Sequence, residues 1–452
     1  MPPAVRVNVT DRIDSSRLGA FQWTVFILCG LAVVMEGIDL QAMGYVAPAL
    51  TRDWHIPASV LGPVFSAALV GVLIGSLGCS VLADKIGRRP VLMFGAMYFS
   101  VMTFLVGRAS STGELMLFRL LGGIGLGGMM PNALALVGEY TPKRLRVTTM
   151  MVIGCGLTAG AALGGFLSAW LIPSFGWRSV FFFCSPVEFS LGLLMLFLLP
   201  ESLQFLAVKG GQPDKIGRWL KRIDASAPAG PDVEYIVIEE KKGGSPAARL
   251  FRDGRARVTV LLWIVNFMNL LNLYFLASWV PTVVRNGGYS TAIAVLAGTA
   301  VQVGGTIGTF GNNWFISRAG FAKGLSIIFA LGAVSIAFIG QPFLSLPLLF
   351  ISVFVAGWCV PGGQAGVNVF AGVYYPTYLR STGIGWGLGI GRIGAIIGPV
   401  VGGALIALKW SPREVFLAAA IPAAISSITM LGLTGAIKSG ETAPDRTTVL
   451  TH

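Results

Sequence analysis

The sequence predicts an all-α membrane protein with twelve transmembrane helices arranged in two six-helix bundles. Hydrophobic residues make up 54% of the 452 residues and charged residues only 12%, against about 25% charged in a typical soluble domain. The mean hydropathy is +0.75. Twelve apolar stretches are long enough to cross a bilayer, and we number them as spans 1 to 12: roughly 21–43, 58–83, 91–108, 115–138, 148–171, 179–199, 257–283, 292–316, 324–341, 345–370, 383–407 and 414–437.

The basic residues are distributed unevenly between the loops, and this predicts the orientation. Loops on the side of the two termini hold 25 Lys and Arg residues, whereas the opposite loops hold six and the spans two. This asymmetry follows the positive-inside rule and places both termini in the cytoplasm. We therefore interpret the net charge of +13 as an orientation signal, and we expect no nucleic-acid partner.

A long polar segment divides the chain into two halves. Residues 200–256, together with Arg257 at the start of span 7, carry 11 of the basic residues, and 200–256 are interpreted as a cytoplasmic linker. The predicted domains are a cytoplasmic N-terminal tail, an N-terminal six-helix bundle, the linker, a C-terminal six-helix bundle and a cytoplasmic C-terminal tail, at residues 1–20, 21–199, 200–256, 257–437 and 438–452. Leu145-Arg-Val-Thr recurs 234 residues later as Leu379-Arg-Ser-Thr. Six spans per half give both halves the same orientation, which indicates a parallel repeat and alternating access.

Two carboxyl groups, Glu36 and Asp39, interrupt the first apolar stretch. An ionised carboxylate at a helix centre costs about 2.5 to 3.5 kcal/mol on insertion scales, so an intramembrane acid is a functional candidate by default. A spacing of three residues puts both acids on one helix face, where repulsion and lost hydration favour protonation. The matching positions of the second half hold Asn269 and Asn272. Because only the first half keeps the charge, we interpret the two acids as a proton-coupling site.

The spans contain two arginines, Arg119 in span 4 and Arg392 in span 11. A guanidinium stays charged when buried and offers a two-pronged donor to a carboxylate. Both are therefore candidates to bind an acidic substrate. An arginine that only bridges helices or binds backbone carbonyls is the alternative for Arg392, and snorkelling toward the outer surface is the alternative for Arg119.

Amide side chains form polar stripes in spans 7 and 10. Asn266, Asn269 and Asn272 recur at every third residue, and Gln364 and Asn368 lie one turn apart. Such a stripe is unfavourable against lipid, so it should face a cavity or another helix. Hydrogen bonding to a substrate hydroxyl and hydrogen bonding between helices are the two alternatives.

The loop between spans 2 and 3 carries a motif that resembles the cytoplasmic signature of the major facilitator superfamily. It runs Asp84-Lys-Ile-Gly87-Arg88-Arg89-Pro90. A carboxylate can cap a helix N-terminus, and Arg88 can pair with Glu139 at the end of span 4. We therefore predict a cytoplasmic gate from these five residues, Asp84, Gly87, Arg88, Arg89 and Glu139.

Further motifs over nearly the whole chain resemble the aromatic acid:proton symporters of bacteria. They are Met35-Glu-Gly-Ile-Asp-Leu-Gln-Ala-Met-Gly, Arg119-x4-Ile-Gly-Leu-Gly-Gly-x2-Pro-Asn132, Pro200-Glu-Ser, Gln364-x3-Asn368 and Arg380-Ser-Thr-Gly-Ile-Gly-Trp-x3-Ile-Gly-Arg392-Ile-Gly. The glutamate at position 36 makes this part of the sequence similar to the hydroxyphenylpropionate-transporting branch of that family. The resemblance implies the major facilitator fold and import of a hydroxybenzoate- or phenylpropionate-type carboxylate with protons. It also implies proton coupling at Glu36 and Asp39 and places Arg392 near the substrate or the coupling network. Together with the arginines and amides above, the predicted substrate-binding residues are Arg392, Arg119, Asn132, Asn269, Asn272, Gln364 and Asn368.

Other function classes fit the sequence less well. No metal-ligand cluster, nucleophile–base pair or P-loop is present, so we expect neither an enzyme nor a cofactor, metal or ATP requirement. A proton-coupled sugar or polyol carrier is one alternative, because Pro200-Glu-Ser also resembles a sugar-porter signature. A membrane receptor for aromatic acids is the other. The expected partners are an aromatic acid, protons and the bilayer, with the chain acting as a monomer in the bacterial inner membrane.

Overall fold

The computed structural model describes residues 5–228, 230, 233–237, 246–252, 254–341, 344–375 and 377–438. Within these residues, twelve helices are long and apolar enough to cross a membrane. This confirms the predicted all-α architecture with twelve spans. Residues 439–452 of the predicted C-terminal tail lie outside the described part of the chain.

The spans begin and end within five residues of the predicted positions, except that span 1 ends 11 residues later than predicted, at Trp54. In chain order they are Ala20–Trp54, Ala58–Ile86, Arg88–Arg108, Thr112–Tyr140, Lys143–Phe175, Arg178–Leu198, Ala256–Asn286, Thr291–Ala319, Phe321–Ile339, Leu346–Tyr374, Thr382–Ala407 and Pro412–Leu433. Span 2 opens with a 3-10 turn, Ala58–Val60, and its α-helix is Leu61–Ile86. Two spans are each built from two consecutive helices, span 4 from Thr112–Gly127 and Met129–Tyr140 and span 5 from Lys143–Gly154 and Gly156–Phe175. The helices of spans 11 and 12 run over Thr377–Ala407 and Pro412–Lys438.

Local sequence sets several span ends. Span 12 follows the pattern Ser-x-x-Glu: the Ser411 hydroxyl accepts a hydrogen bond from the backbone N–H of Glu414 at 3.4 Å, and the Glu414 carboxylate accepts one from the N–H of Ser411 at 2.7 Å. This reciprocal capping box satisfies N–H groups that have no partner within the helix. At the start of span 4, the Ser111 hydroxyl likewise accepts a hydrogen bond from the N–H of Glu114 at 3.2 Å.

The described residues form two compact units. Unit 1 lies within Met1–Leu40, Ala67–Ala161 and Arg178–Lys241, and unit 2 within Gln41–Ser66, Ala162–Trp177 and Lys242–His452. The predicted boundaries between tails, bundles and linker stay predictions.

Glycines bring spans 2 and 4 into backbone contact inside unit 1. A methyl group on Gly75 would lie 2.0 Å from the carbonyl oxygen of Ile124, and one on Gly123 would lie 2.2 Å from the carbonyl oxygen of Ala68. Such close packing of small residues is a common way for membrane helices to associate. It fixes span 4, which carries Arg119, against span 2.

Unit 1 also contains regular structure outside the spans, which the sequence analysis did not predict. Strands Val5–Asn8 and Val233–Ile236 pair in parallel, next to helices Val9–Ser15, Leu203–Lys209 and Pro213–Ile223. The Asp14 carboxylate accepts hydrogen bonds from the N–H of Lys143 and from Arg146, both at 2.8 Å. The N-terminal segment is thereby attached to the start of span 5. A short helix, Pro246–Arg249, precedes span 7 in unit 2.

In unit 2, the end of span 1 and the start of span 2 pack against spans of the C-terminal half. The Gln41 amide donates to the carbonyl of Ala277 and accepts from the Gln302 amide at 3.0 Å. The Ser66 hydroxyl donates to the carbonyl of Ile396 at 2.6 Å. In the predicted orientation, these contacts lie at the outer ends of the spans.

We expect Gly75→Ala to lower the melting temperature of the detergent-solubilised protein, because the added methyl group cannot avoid the backbone of Ile124. Gly78→Ala is a matched control on the same span, since a methyl group there meets no atom within 4 Å. The control should be neutral or slightly stabilising, because alanine is favoured over glycine in a helix by about 1 kcal/mol. Equal melting temperatures for the two variants would contradict the close contact between spans 2 and 4.

Candidate functional site

A buried ion pair between spans 1 and 4 is the centre of the candidate site in unit 1. Arg119 Nη1 lies 2.9 Å from Asp39 Oδ2, and the two side chains are only 5% and 3% exposed. The Thr103 hydroxyl donates to the other carboxylate oxygen at 3.4 Å. Arg119 therefore points to Asp39 and does not snorkel toward the end of its span. Because dehydrating two charges offsets much of their attraction, a buried pair of this kind is better explained by function than by stability.

Glu36, the other predicted proton-coupling residue, lies one turn before Asp39 and is 5% exposed. Gly37 positions this part of span 1, because a methyl group on it would lie 2.0 Å from the carbonyl oxygen of Leu157. Gly160 is equally close to the backbone of Val34. Spans 1 and 5 thus touch through their backbones beside the two acids, and this contact orients the acid-bearing face.

A third buried acid, Glu188 in span 6, was missed by the sequence analysis. It is 2% exposed, and neither of its carboxyl oxygens has a hydrogen-bond partner in the described part of the chain. It lies beside Thr103 and close enough to Asp39 for electrostatic interaction. Glu188 stands alone in its span, so no spacing pattern marks it. The rarity of an acid in a membrane span was the signal that could have found it.

The predicted amide stripes form a hydrogen-bonded cluster in unit 2. Asn269 donates to the Gln364 carbonyl oxygen at 2.8 Å, and the Gln364 amide donates to Asn266 at 2.8 Å and to Asn368 at 3.2 Å. Asn269 also donates to the backbone carbonyl of Val360 at 3.1 Å. These bonds join spans 7 and 10, so the cluster holds helices together whatever else it binds.

Two other predicted asparagines behave differently. Asn132 donates to the carbonyl of Gly128 in its own span at 2.7 Å and is 5% exposed. Asn272 is fully buried, and both polar atoms of its amide are without a hydrogen-bond partner among the described residues. A buried amide without partners costs free energy. Asn272 therefore differs from Asn266 and Asn269, whose amides are hydrogen-bonded within the described residues.

Arg392 is half-buried in span 11, and glycines on both sides of it bring that span close to span 7. A methyl group on Gly394 would lie 2.2 Å from the carbonyl oxygen of Phe267, and one on Gly391 would lie 2.4 Å from the side chain of Leu270. The span 11 backbone that carries Arg392 is thus held directly against the asparagine-bearing span 7.

The motif between spans 2 and 3 forms the predicted ion pair with the end of span 4. Arg88 Nη2 lies 2.7 Å from Glu139 Oε1, with side chains 23% and 12% exposed. Ser202 donates a hydrogen bond to the same carboxylate. Asp84 is exposed.

Glu201 organises this motif, although the sequence analysis gave it no role. Its Oε1 accepts hydrogen bonds from the backbone N–H groups of Arg88 and Arg89 at 2.8 and 3.2 Å. A carboxylate is favourable here because these are the first N–H groups of span 3. Gly87 has φ +102°, and a methyl group on it would lie 2.2 Å from Glu201 Oε2. Glycine is therefore required on two counts, by the backbone conformation and by the space that Glu201 occupies.

Unit 1 contains three buried carboxyl groups, Glu36, Asp39 and Glu188, and Arg119 is paired with Asp39. The described residues contain no group of three or more His, Cys, Asp or Glu side chains placed to hold a metal ion.

Comparison with known proteins gives a consistent picture. The family model of the Major Facilitator Superfamily matches residues 29–312 and 262–448. The chain is 37% identical to the gallate transporter of Pseudomonas putida, covering 95% of this chain and 96% of the relative. It is 36% identical to the 4-hydroxybenzoate transporter PcaK of Pseudomonas aeruginosa, with the same coverage. Identity to the 3-(3-hydroxy-phenyl)propionate transporter of Escherichia coli is 30%, over 91% of this chain and 94% of the relative.

Solved structures share the fold at low sequence identity. A bacterial homologue of the human lysosomal transporter Spinster superimposes with a TM-score of 0.72 at 18% identity, covering 95% of this chain and 100% of that one. The nucleoside transporter NupG gives a TM-score of 0.68 at 15% identity, covering 91% and 99% of the two chains.

The Asp39–Arg119 pair predicts a compensating pair of substitutions. Arg119→Gln leaves a buried carboxylate without its cation, so we expect a loss of about 3–5 kcal/mol in unfolding free energy. Asp39→Asn should also destabilise the protein, and the double variant should recover most of the stability. Melting temperatures of the three variants in one detergent measure the coupling.

The control for this cycle is the exposed pair Arg6–Glu234, whose side chains are 73% and 49% exposed. Arg6→Gln should change the stability by no more than about 1 kcal/mol. Simple addition of the Asp39 and Arg119 losses in the double variant would show that the two residues act independently and would contradict the pairing.

Proposed function

Since the chain belongs to the major facilitator superfamily, we propose that it imports an aromatic carboxylate together with protons by alternating access. The similarity to gallate and 4-hydroxybenzoate transporters supports the substrate class. The observation that carries the proposal is the buried pair of Asp39 in span 1 and Arg119 in span 4, 2.9 Å apart. Span 1 also carries Glu36. We place the protein in the bacterial inner membrane with both termini in the cytoplasm, and we propose that it acts as a monomer.

Protons would be carried by the acids of span 1. In the ionised state, Asp39 is held by Arg119 and Thr103. When Asp39 takes up a proton, the attraction to Arg119 weakens, and the packing of span 1 against span 4 changes with it. Glu36, one turn away, is the second carboxyl group of the pathway. Protonation thereby biases the equilibrium between two conformations.

The membrane potential sets the minimum number of protons. Moving a monovalent carboxylate into a negative interior costs about 2.3 kcal/mol per 100 mV. One proton that travels with the anion cancels this term, and each additional proton lets the potential drive accumulation. Proton symport therefore makes import of an anionic substrate feasible.

Arg392 and Asn272 are the proposed substrate ligands of the C-terminal half. The guanidinium of Arg392 can hold a carboxylate through two parallel hydrogen bonds. Asn272, whose buried amide lacks partners among the described residues, can donate to and accept from a ring hydroxyl. Gallate and 4-hydroxybenzoate both carry such hydroxyls beside the carboxylate. Asn269, Gln364 and Asn368 are proposed to support these ligands in unit 2, and Arg119 and Asn132 are proposed as substrate-binding residues of unit 1.

The cytoplasmic motif is proposed to act as a gate. Its contacts are an ion pair of Arg88 with Glu139 and the backbone hydrogen bonds that Glu201 accepts. Both depend on charge. The Arg88–Glu139 pair is partly exposed, at 23% and 12%, so it can break and reform at lower cost than the fully buried Asp39–Arg119 pair. Asp84, which is exposed, is free to make a charged contact in another conformation.

Uptake into proteoliposomes tests the proposal. We expect accumulation of 4-hydroxybenzoate or gallate when the outside is acidified, and loss of accumulation after addition of a protonophore. Benzoate should compete, whereas glucose and polyols should not.

Asp39→Asn should abolish accumulation, because the amide keeps the shape and cannot carry a proton. Accumulation that survives the protonophore would contradict proton coupling, and transport restricted to sugars would assign the chain to the other carrier class.

A second experiment tests the carboxylate ligand. Arg392→Lys should raise the apparent KM or stop transport, although the charge is kept, because an ammonium cannot reproduce the two-pronged contact. Methyl esters of the substrate should compete poorly. Isothermal titration of Arg392→Ala with the free acid is the decisive measurement: unchanged affinity would move Arg392 out of the binding site and leave Arg119 or the amides as ligands. Gln41→Leu, outside the proposed ligand set, serves as the control variant.

A further inference from the structure

We propose that Glu188 of span 6 holds an exchangeable proton and competes with Asp39 for the cation of Arg119. The inference deepens the proposed function, because it adds a residue to the proton pathway. Asp39 and Glu188 are each 2% exposed, and the cation paired with Asp39 is Arg119. The charged group that acts on Glu188 is Asp39. Because Arg119 balances one carboxylate, the two acids and Arg119 together are neutral only when one acid is protonated.

The hydrogen bonds show which acid holds the proton in this structure. Asp39 accepts from Arg119 at 2.9 Å and from Thr103 at 3.4 Å, as an ionised carboxylate would. Neither oxygen of Glu188 meets hydrogen-bond geometry with a described residue, and Thr103, the hydroxyl beside it, donates to Asp39. An ionised carboxylate buried without a cation or a well-formed hydrogen bond is far more costly than a neutral acid in the same place. The proton therefore resides on Glu188.

Spans 3 and 6 are held in the register that this exchange needs. The Ser100 hydroxyl of span 3 donates to the carbonyl of Ser185 in span 6 at 2.7 Å. Thr103 and Glu188 each follow three residues later on their spans, so they lie on the same helix faces as the two serines. Thr103 is thereby placed beside Glu188 while its hydroxyl donates to Asp39.

Arg119 has a donor available for a second partner. Its Nη1 binds Asp39, whereas its buried Nε has no hydrogen-bond partner within the described ranges. When a proton moves from Glu188 to Asp39, the carboxylate charge moves in the opposite direction and Arg119 stays positive. The net charge of the cluster is unchanged, and Arg119 can follow the negative charge. Arg119 thus has two alternative partners, Asp39 and Glu188, and proton binding can shift the equilibrium between the two pairings.

Other titratable groups around Glu188 are few. Cys184 lies one turn before it on span 6 and is buried with it. On span 1, Glu36 lies one turn before Asp39. A thiol stays protonated at neutral pH in such a setting, so Asp39, Glu36 and Glu188 are the groups among which a proton can be exchanged.

The test compares accumulation with counterflow for Glu188→Gln in proteoliposomes. Glutamine mimics the protonated acid, so a merely structural, permanently protonated Glu188 would leave both activities intact. The proposal predicts that counterflow stays within about twofold of wild type, while accumulation driven by a pH gradient falls to the level of protein-free liposomes. Glu188→Asp, which keeps a carboxyl group, should restore part of the accumulation.

Glu114→Gln is the matched control, because Glu114 is an exposed acid at the start of span 4, and it should accumulate substrate like wild type. Suppose that accumulation by the wild-type protein is abolished by the protonophore. If Glu188→Gln then accumulates substrate as well as the wild type does, the inference is overturned and the proposed function stands. If the protonophore does not affect accumulation by the wild-type protein, the proposed function itself is overturned. If Glu188→Gln fails to fold, Glu188→Asp takes its place. Accumulation that is reduced relative to counterflow supports the proposal, because the shorter carboxyl group exchanges the proton less effectively, and wild-type levels of both activities contradict it.

Discussion

A carboxylate in a membrane span needs a cation or a proton, and most of what is proposed for this protein depends on that constraint. Asp39 meets it with Arg119 at 2.9 Å. Because the pair is buried, removing either partner leaves an unpaired buried charge and is costly. Protonation of Asp39 likewise leaves Arg119 without its anion, so in the proposed mechanism Arg119 must take another partner when the proton binds. The proposed coupling between protons and conformation depends on this exchange.

Glycine-mediated contacts determine where these charges lie. Spans 2 and 4 touch through Gly75 and Gly123, and spans 1 and 5 through Gly37 and Gly160. Each contact brings two backbones together, so the spans that carry Asp39 and Arg119 have little freedom to slide. In unit 2, Gly394 has the same role for the span that carries Arg392. The polar side chains are thus positioned by backbone packing, and the chemistry they can perform depends on small residues that do not themselves carry charge.

Much of the fold was predictable, because the length and apolarity of membrane spans are strong local signals. The Arg88–Glu139 pair was also predicted, since the motif fixes its sequence neighbourhood. By contrast, the pairing of Arg119 with Asp39 depends on how spans 1 and 4 face each other, and sequence spacing does not specify that. Glu188 was missed because a single acid in span 6 has no repeat or motif around it. The strand pair Val5–Asn8 and Val233–Ile236 joins two distant polar segments, each too short to give a periodic pattern. Glu201 likewise acts through backbone N–H groups that no side-chain pattern reveals.

Infrared difference spectroscopy on reconstituted protein tests the central claim most directly. Lowering the pH should produce the carbonyl band of a protonated carboxylic acid, and the part of this band that responds to substrate should disappear in Asp39→Asn. That result would show that Asp39 exchanges its ion pair with Arg119 for a proton during transport. A substrate-dependent band of unchanged intensity in Asp39→Asn would contradict the account, because the proton would then be carried by a group other than the acid paired with Arg119.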